Sequence, residues 1–593
     1  MLMRKRMMRE IPRVEFSICA PREKTIARGM SKKMGWIVAA LMAAFSGCFL
    51  AWPVWQALHG AFVDANGAFN TAFVGEVFLN RIYFEGLRNA FLIAVASTAL
   101  TLALALPLAF VSDRFLFPGK KLFVSLLLVP MILPPFVGAI GFRQIFGQAG
   151  ALNAVLTHLG ILGVNDSIDW LGRGRFLGIV ILNALHLYPI LYLNVTAALA
   201  NIDPAMEEAA ENLGCTGLRK FRKITLPLIM PGLFAGGTIV FIWAFTELGV
   251  PLMFDYTRTT PVQIFYGIKE IAGNPFPYAL VFVTLVSTLL LYAAGKFAFG
   301  HSHGAMTAKA THAGEPRAAV GWRGILCTCG FAAVTLLALL PHLGVILVSF
   351  GGDWYRTVLP DSWTLVHYKN ALGHDLAVPS IVNSLKYAGL STLFDLVLGV
   401  AIAWVVVRTD LPGRGMLDAA AMLPLAVPGL VLAFGYIAMT QEGKFFAFLN
   451  PARDPTPLLV IAYAVRRLPY VVRSAAAGLQ QTSVTLEEAA QNLGATPLRA
   501  LRKITLPLIT ANIVAGGLLA FSFAMLEVSD SLILAQRSAD FPITKAIYEL
   551  FQLLGEGRYV ASALGVWAMV FLGITILTAS RILGKKMGAL FRA

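Results

Sequence analysis

The sequence predicts an all-α membrane protein of about twelve transmembrane helices, arranged as two parallel, pseudo-symmetric six-helix repeats. Three observations carry this expectation. The 593 residues are 57% hydrophobic and only 13% charged, roughly half the charged share of about 25% usual in soluble domains. The hydrophobic residues collect into runs of about twenty or more, the length that crosses a bilayer. One polar segment, set between such runs, occurs twice at equivalent places.

Taken in order, the chain opens with a basic tail over 1–35 that holds ten Lys or Arg residues. The tail is too polar for a secretory leader, and the run after it is long enough to remain as an uncleaved first span. The first domain, 36–299, has spans near 36–56, 88–112, 122–144, 177–200, 228–250 and 278–299. A linker over 300–322 follows; its His301, His303 and His312 lie among Gly and Ala and read as a flexible tether rather than a metal site. The second domain, 323–593, has spans near 323–350, 382–407, 416–440, 457–480, 508–534 and 558–583. Arg114, Lys120 and Lys121 follow the second span, Arg408 and Arg414 the eighth, and Arg581, Lys585, Lys586 and Arg592 the last. All fall on the side of the basic tail. The positive-inside bias therefore places both termini in the cytoplasm. The net charge of +16 then belongs to a surface facing anionic lipid and gives no nucleic-acid signal. Five cysteines show neither a disulfide framework nor paired metal-binding spacing.

The repeated segment runs Glu207-Glu208-Ala209-Ala210-Glu211-Asn212-Leu213-Gly214 and returns 280 residues on as Glu487-Glu488-Ala489-Ala490-Gln491-Asn492-Leu493-Gly494. Asp203 and Ser483 suit a helix N-cap, the acids suit the first turn, and Gly214 and Gly494 suit a left-handed helix end. Thr216 and Thr496 are placed to cap a second, short basic helix, with Pro227 and Pro507 marking entry to the next span. Two helix–turn–helix elbows on one aqueous face are expected. The repetition extends outward. Asn89, Pro130, Pro134 and Gly141 recur 294 residues on as Asn383, Pro424, Pro428 and Gly435, and Pro189, Phe241 and Glu247 recur 280 residues on as Pro469, Phe521 and Glu527.

The E-E-A-A-x-N-L-G stretches, each followed by Ile-Thr-Leu-Pro-Leu (224–228 and 504–508), resemble the EAA loop of permease subunits in binding-protein-dependent ABC importers. The resemblance covers nearly the whole chain after residue 80 and implies the type I importer permease fold. It implies that Glu207, Glu208, Ala209, Gly214, Glu487, Glu488, Ala489 and Gly494 couple to two copies of a separate ABC ATPase, which binds the ATP and Mg. It further implies a periplasmic or extracellular solute-binding protein as partner, the bacterial inner (plasma) membrane as location, and alternating access as mechanism. Two permease domains in one chain resemble the ferric iron, thiamine, phosphonate and polyamine branch. The run Ala462-Tyr463-Ala464-Val465-Arg466-Arg467-Leu468-Pro469-Tyr470 is most similar to the ferric-iron members. Which acid of each elbow pair matters stays open, because the family's pattern usually has one acid there.

Candidate pathway residues follow from charge placement, since charged side chains inside spans are costly and face the bundle interior or water. They are Glu247 and Glu527, Asp530, and Arg466 with Arg467. The arginines serve either to attract an anionic or chelated substrate or to pair with Glu527 or Asp530. Lys386 and Asp395 are further internal charges without an evident partner. Prolines at 130, 134, 135, 424 and 428 predict kinked spans that either line the pathway or only shape the packing. No phosphate loop, H-E-x-x-H or G-x-S-x-G motif occurs, which argues against nucleotide hydrolysis by this chain and against a membrane enzyme. An ion-gradient-driven secondary transporter also accommodates parallel six-span repeats; the elbows argue against it.

Overall fold

The computed structural model describes residues 28–63, 67–131, 134–172, 175–271, 274–299 and 317–583. The tail before residue 28, the linker histidines, and Lys585, Lys586 and Arg592 lie outside the described residues. Among the described residues, nine helices are long and apolar enough to cross a membrane, and two bent pairs raise the number to eleven. The remaining predicted span, the tenth, is the helix Thr456–Gln481, which Arg466, Arg467 and Arg473 make too polar to count with the rest.

The predicted spans 122–144 and 416–440 are broken rather than kinked. Lys120–Met131 meets Pro135–His158 at 101°, and Arg414–Leu425 meets Gly429–Met439 at 95°. Prolines spaced four apart remove two amide donors from one turn. Pro134 (φ −55, ψ 133) and Pro428 (φ −57, ψ 135) then leave the helical region, and each begins a new helix running in another direction.

The halves are interlocked through these breaks. Helix Pro135–Phe146 of the first half packs against Trp322–Phe350, the leading helix of the second. Helix Gly429–Met439 of the second half packs against the leading helix of the first, Lys33–Gly60. The repeat-equivalent glycines Gly141 and Gly435 sit at the two crossings. A Cβ on Gly344 would fall 2.7 Å from the Gly141 Cα, and one on Gly435 would fall 2.5 Å from the Pro53 carbonyl oxygen. Tyr436 Oη donates to the Phe49 carbonyl at 2.8 Å. Lipid offers no hydrophobic drive between helices, so close backbone approach over small residues supplies the packing.

Gly344→Val must push two backbones apart, at a cost of about 1–3 kcal/mol, and is expected to lower the thermal midpoint of the purified protein. Gly237→Val, where nothing lies within 4 Å of the added Cβ, is the control expected to leave the midpoint unchanged.

Candidate functional site

The elbows form much as their residues dictate. Asp203 Oδ1 accepts the Ala205 amide at 3.0 Å and caps Pro204–Asn212. Ser483 Oγ accepts the Thr485 amide at 3.3 Å, at the start of Thr485–Asn492. Gly214 (φ 76) and Gly494 (φ 90) end these helices in the left-handed region, as predicted. The basic stretch that follows is not a separate short helix. It runs into the next span as one helix, Gly217–Phe245 in the first half and Pro497–Met525 in the second. Just before Pro227 and Pro507 the chain widens to a π-turn, at Phe221–Thr225 and Leu501–Thr505. The wider turn accommodates the proline ring and its missing donor, so these prolines mark no boundary. Thr496 caps its helix through the Arg499 amide at 3.3 Å; Thr216 makes no such bond.

The two acids of each elbow part company. Glu207 and Glu487 are buried, at 6% and 8% exposure. Glu207 Oε1 accepts from Arg114 Nη2 at 2.8 Å and from Thr225 Oγ1 at 2.9 Å. Glu487 Oε1 accepts from Arg408 Nε at 2.9 Å, while Arg408 Nη2 also donates to the Leu479 and Thr482 carbonyls at 2.8 Å each. Sequence reasoning used Arg114 and Arg408 only as orientation charges; their 294-residue spacing, shared with the repeat around them, is the signal that marks them as equivalent anchors. Glu208, Ala209, Gly214, Glu488, Ala489 and Gly494 are exposed. So are Leu213 and Leu493, at 87% and 90%. In the first elbow Lys220 Nζ donates to Glu211 at 2.6 Å, and this hydrogen bond, with the lysine's charge, holds the Glu211 carboxyl below its usual range.

Both elbows lie at one face of the bundle. Strand Phe115–Leu116 pairs in parallel with Arg317–Ala318, and Arg317 Nη2 lies 3.8 Å from Glu211 Oε2. The second half therefore starts beside the first elbow. Trp322–Phe350 runs away from that face over 29 residues, about 43 Å of helix. Ala377–Arg408 runs back over 32 residues to the Arg408–Glu487 pair.

Between the halves lies a cavity of about 100 Å³. Its walls include Pro134, Pro135, His186, Trp243 and Glu247 from the first half, and Arg466, Arg467, Tyr470, Phe523 and Glu527 from the second. Four of the five pathway candidates thus meet there. The fifth, Asp530, is fully buried behind the wall, 3.6 Å from Arg466 Nη1. Glu247 and Glu527 stand just past the ends of Leu226–Phe245 and Leu506–Met525, where the chain breaks before another short helix. Glu247 Oε1 accepts the Gly249 and Val250 amides at 3.0 and 3.2 Å. Glu527 Oε1 likewise lies 3.5 Å from the Asp530 amide, but Glu527 also accepts from Arg466 Nη1 at 2.8 Å and from Arg467 Nη2. The first half carries His186 and Leu187 where the second has the arginines, and His186 Nδ1 lies 3.0 Å from the Pro130 carbonyl. Lys386 reaches Thr456 Oγ1 at 3.4 Å. A larger cavity, about 450 Å³, lies at the end of the bundle away from the elbows, lined by Arg143, Arg175, Trp354 and Arg558 among others. Asp255 ties Arg143 and Arg175 together there, at 3.3 and 2.6 Å. Among the described residues, no group of three or more His, Cys, Asp or Glu is placed to hold a metal ion.

The profile of the family described as "Binding-protein-dependent transport system inner membrane component" matches residues 102–303 and again 395–588. The chain belongs to this family. It is a fused two-domain permease of the ABC importer class and a multi-pass inner-membrane protein. It is similar to the "Ferric transport system permease protein FbpB" of Actinobacillus pleuropneumoniae, at 28% identity over 528 residues, covering 86% of this chain and 72% of that one. It is similar also to the "Putative ferric transport system permease protein FbpB 1" of Haemophilus influenzae, at 29% identity over 475 residues, covering 77% and 70%. Among solved structures, a bacterial ABC transporter "involved in the import of the acidic polysaccharide alginate" aligns at 16% identity with a TM-score of 0.39, over 46% of this chain and 99% of that one.

Arg408→Met leaves the permease's Glu487 carboxylate buried without its counter-charge, a loss of about 3–5 kcal/mol. The thermal midpoint should fall accordingly, and Arg408→Met combined with Glu487→Gln should recover part of the fall.

Proposed function

We propose that the two elbows dock on two copies of a separate ABC ATPase subunit and that the cargo is ferric iron. The observation that carries the docking is the apolar tip of each elbow. Leu213 and Leu493 stand 87% and 90% exposed at the ends of otherwise polar helices, and both elbows lie on one face. Exposed apolar groups so placed are matched by a partner's groove. The roles of the acids then divide. Glu207 and Glu487 anchor each elbow to the bundle; Glu208, Ala209 and Gly214, with Glu488, Ala489 and Gly494, are presented to the ATPase. ATP and Mg belong to that partner, since the chain has no phosphate-cradling loop.

The elbow face is cytoplasmic on this reading, as are both termini. A solute-binding protein docks on the loops at the opposite end, beside the larger cavity. ATP draws the two ATPase subunits together, each drags one elbow, and the halves rock so that the cavity between them opens outward. The permease contributes two arrangements of differing stability and performs no bond chemistry. Ferric iron as cargo is supported by the names of the FbpB relatives and by the run from Ala462 to Tyr470. The buried pairing of Arg466 and Arg467 with Glu527 gives the pathway wall a fixed charge pattern that a charged cargo meets.

Gly214→Pro with Gly494→Pro cannot adopt the positive φ at either turn. The double variant should reach the membrane yet lose co-purification with its cognate ATPase, and lose ATP-dependent uptake of radiolabelled ferric iron in proteoliposomes. Retained co-purification would refute the docking. Wild-type transport of a phosphonate, thiamine or polyamine in place of iron would refute the cargo.

A further inference from the structure

We infer that Asp395 is a second carboxylate partner for Arg467, exchanged with Glu527 within the second half during the transport cycle, and so a positioning residue for that cycle. The inference rests on the alternating-access reading above for its role, but not for its geometry.

The geometry comes from register. Helices Ala377–Arg408 and Thr456–Gln481 lie side by side and run in the same direction. Near their starts, Lys386 Nζ reaches Thr456 Oγ1 at 3.4 Å. Near their ends, Arg408 Nη2 reaches the Leu479 and Thr482 carbonyls at 2.8 Å. Between these points a Cβ on Gly399 would fall 2.9 Å from Val471 Cγ1. The same spacing places Asp395 level with Arg467, one helical turn before the Gly399–Val471 contact on each helix.

Each of the two carries hydrogen-bonding capacity that this arrangement leaves unused. Asp395 is fully buried, and neither of its carboxylate oxygens has a donor. Arg467 gives Nη2 to Glu527, while its Nε is buried without an acceptor. A bare carboxylate in mid-span is costly to keep, and a complementary bare donor on the facing helix supplies a reason to keep it. The internal repeat shows that the two belong together. In the first half the same positions are Thr101 and Leu187, both uncharged, whereas the glutamate is present in both halves as Glu247 and Glu527. Glu247 is satisfied by backbone amides without any arginine. Holding a glutamate at this place therefore does not require an arginine, and Arg467 and Asp395 enter the second half as an addition. An arginine with two alternative acids on two neighbouring helices forms a two-position element of the kind that makes a shift between them discrete.

The test is a double-mutant cycle on the thermal midpoint of the purified full chain in lipid nanodiscs, with Asp395→Asn, Glu527→Gln and both. Asp395→Asn alone should leave the midpoint unchanged or raise it, since no hydrogen bond is lost. Glu527→Gln should lower it modestly, because Arg467 turns to Asp395. The combination should fall below the sum of the single effects by about 3 °C or more; failure of the double variant alone to accumulate is the same result in extreme form. Additivity to within about 1 °C overturns the proposal. Asp395→Thr, which installs the first half's residue, repeats the cycle without an amide oxygen for Arg467. This arm needs no ATPase and so decides the matter whatever the elbows bind. In the assembled transporter, Asp395→Asn and Asp395→Thr should slow ATP-driven ferric iron uptake about tenfold with unchanged ATPase co-purification. Wild-type uptake by both variants overturns the exchange.

Discussion

The pairing of an arginine with a buried glutamate at each elbow, Arg114 with Glu207 and Arg408 with Glu487, is the constraint on which the rest depends. Desolvating two charges is expensive, and a buried ion pair is weak evidence for stability as such. Its effect here is attachment. Each elbow is fixed through its glutamate to the end of the long second helix of its half, and its second arm, beyond the glycine turn, continues through the π-turn into the next span. On the proposed docking, displacement at Leu213 or Leu493 is conveyed along a 29-residue helix, about 43 Å long. That helix ends just before Glu247 in one half and Glu527 in the other, on the wall of the central cavity. A flexible loop at the elbow would dissipate the same push.

The two halves match as levers and differ as walls. Gly214 and Gly494, the buried glutamates, the π-turns and the terminal glutamates recur in pairs. The cavity lining does not. Pro135 and His186 of the first half have Gly429 and Arg466 as their repeat counterparts in the second, and a Cβ on Gly429 would overlap the Arg466 guanidinium. The fused chain has kept the moving parts equivalent while letting one side of the pathway become charged. Single-chain fusion permits this, since the two halves are free to diverge at individual positions.

Much of this was legible in the residues, because duplication doubles every local signal. The elbow helices, their glycine ends and the span positions each rest on short-range rules of capping, conformational freedom and run length. What escaped depends on partners distant in sequence. The 101° and 95° breaks need two prolines acting on one turn plus a neighbouring helix to receive the redirected segment, and a proline count alone reads only as a kink. The division between Glu207 and Glu208 depends on Arg114, almost a hundred residues earlier. Thr456–Gln481 shows the converse. Its arginines lower its apolarity, yet its position follows from the repeat, because Thr456–Gln481 packs on Ala377–Arg408 as Phe176–Leu199 packs on Arg81–Arg114.

The exchange of leading helices between the halves also bears on how the chain is made. Gly141 awaits Gly344, about two hundred residues later. At synthesis rates of about 5–20 residues per second, on the order of ten seconds or more pass before that partner emerges. During this interval the groove along Pro135–Phe146 has only lipid or a passing chaperone to fill it. The reciprocal groove, on Gly429–Met439, never waits, since the helix it receives was completed long before. Biogenesis is thus asymmetric even where the finished bundle is nearly two-fold, and the first half is the one exposed to mispairing on the ribosome.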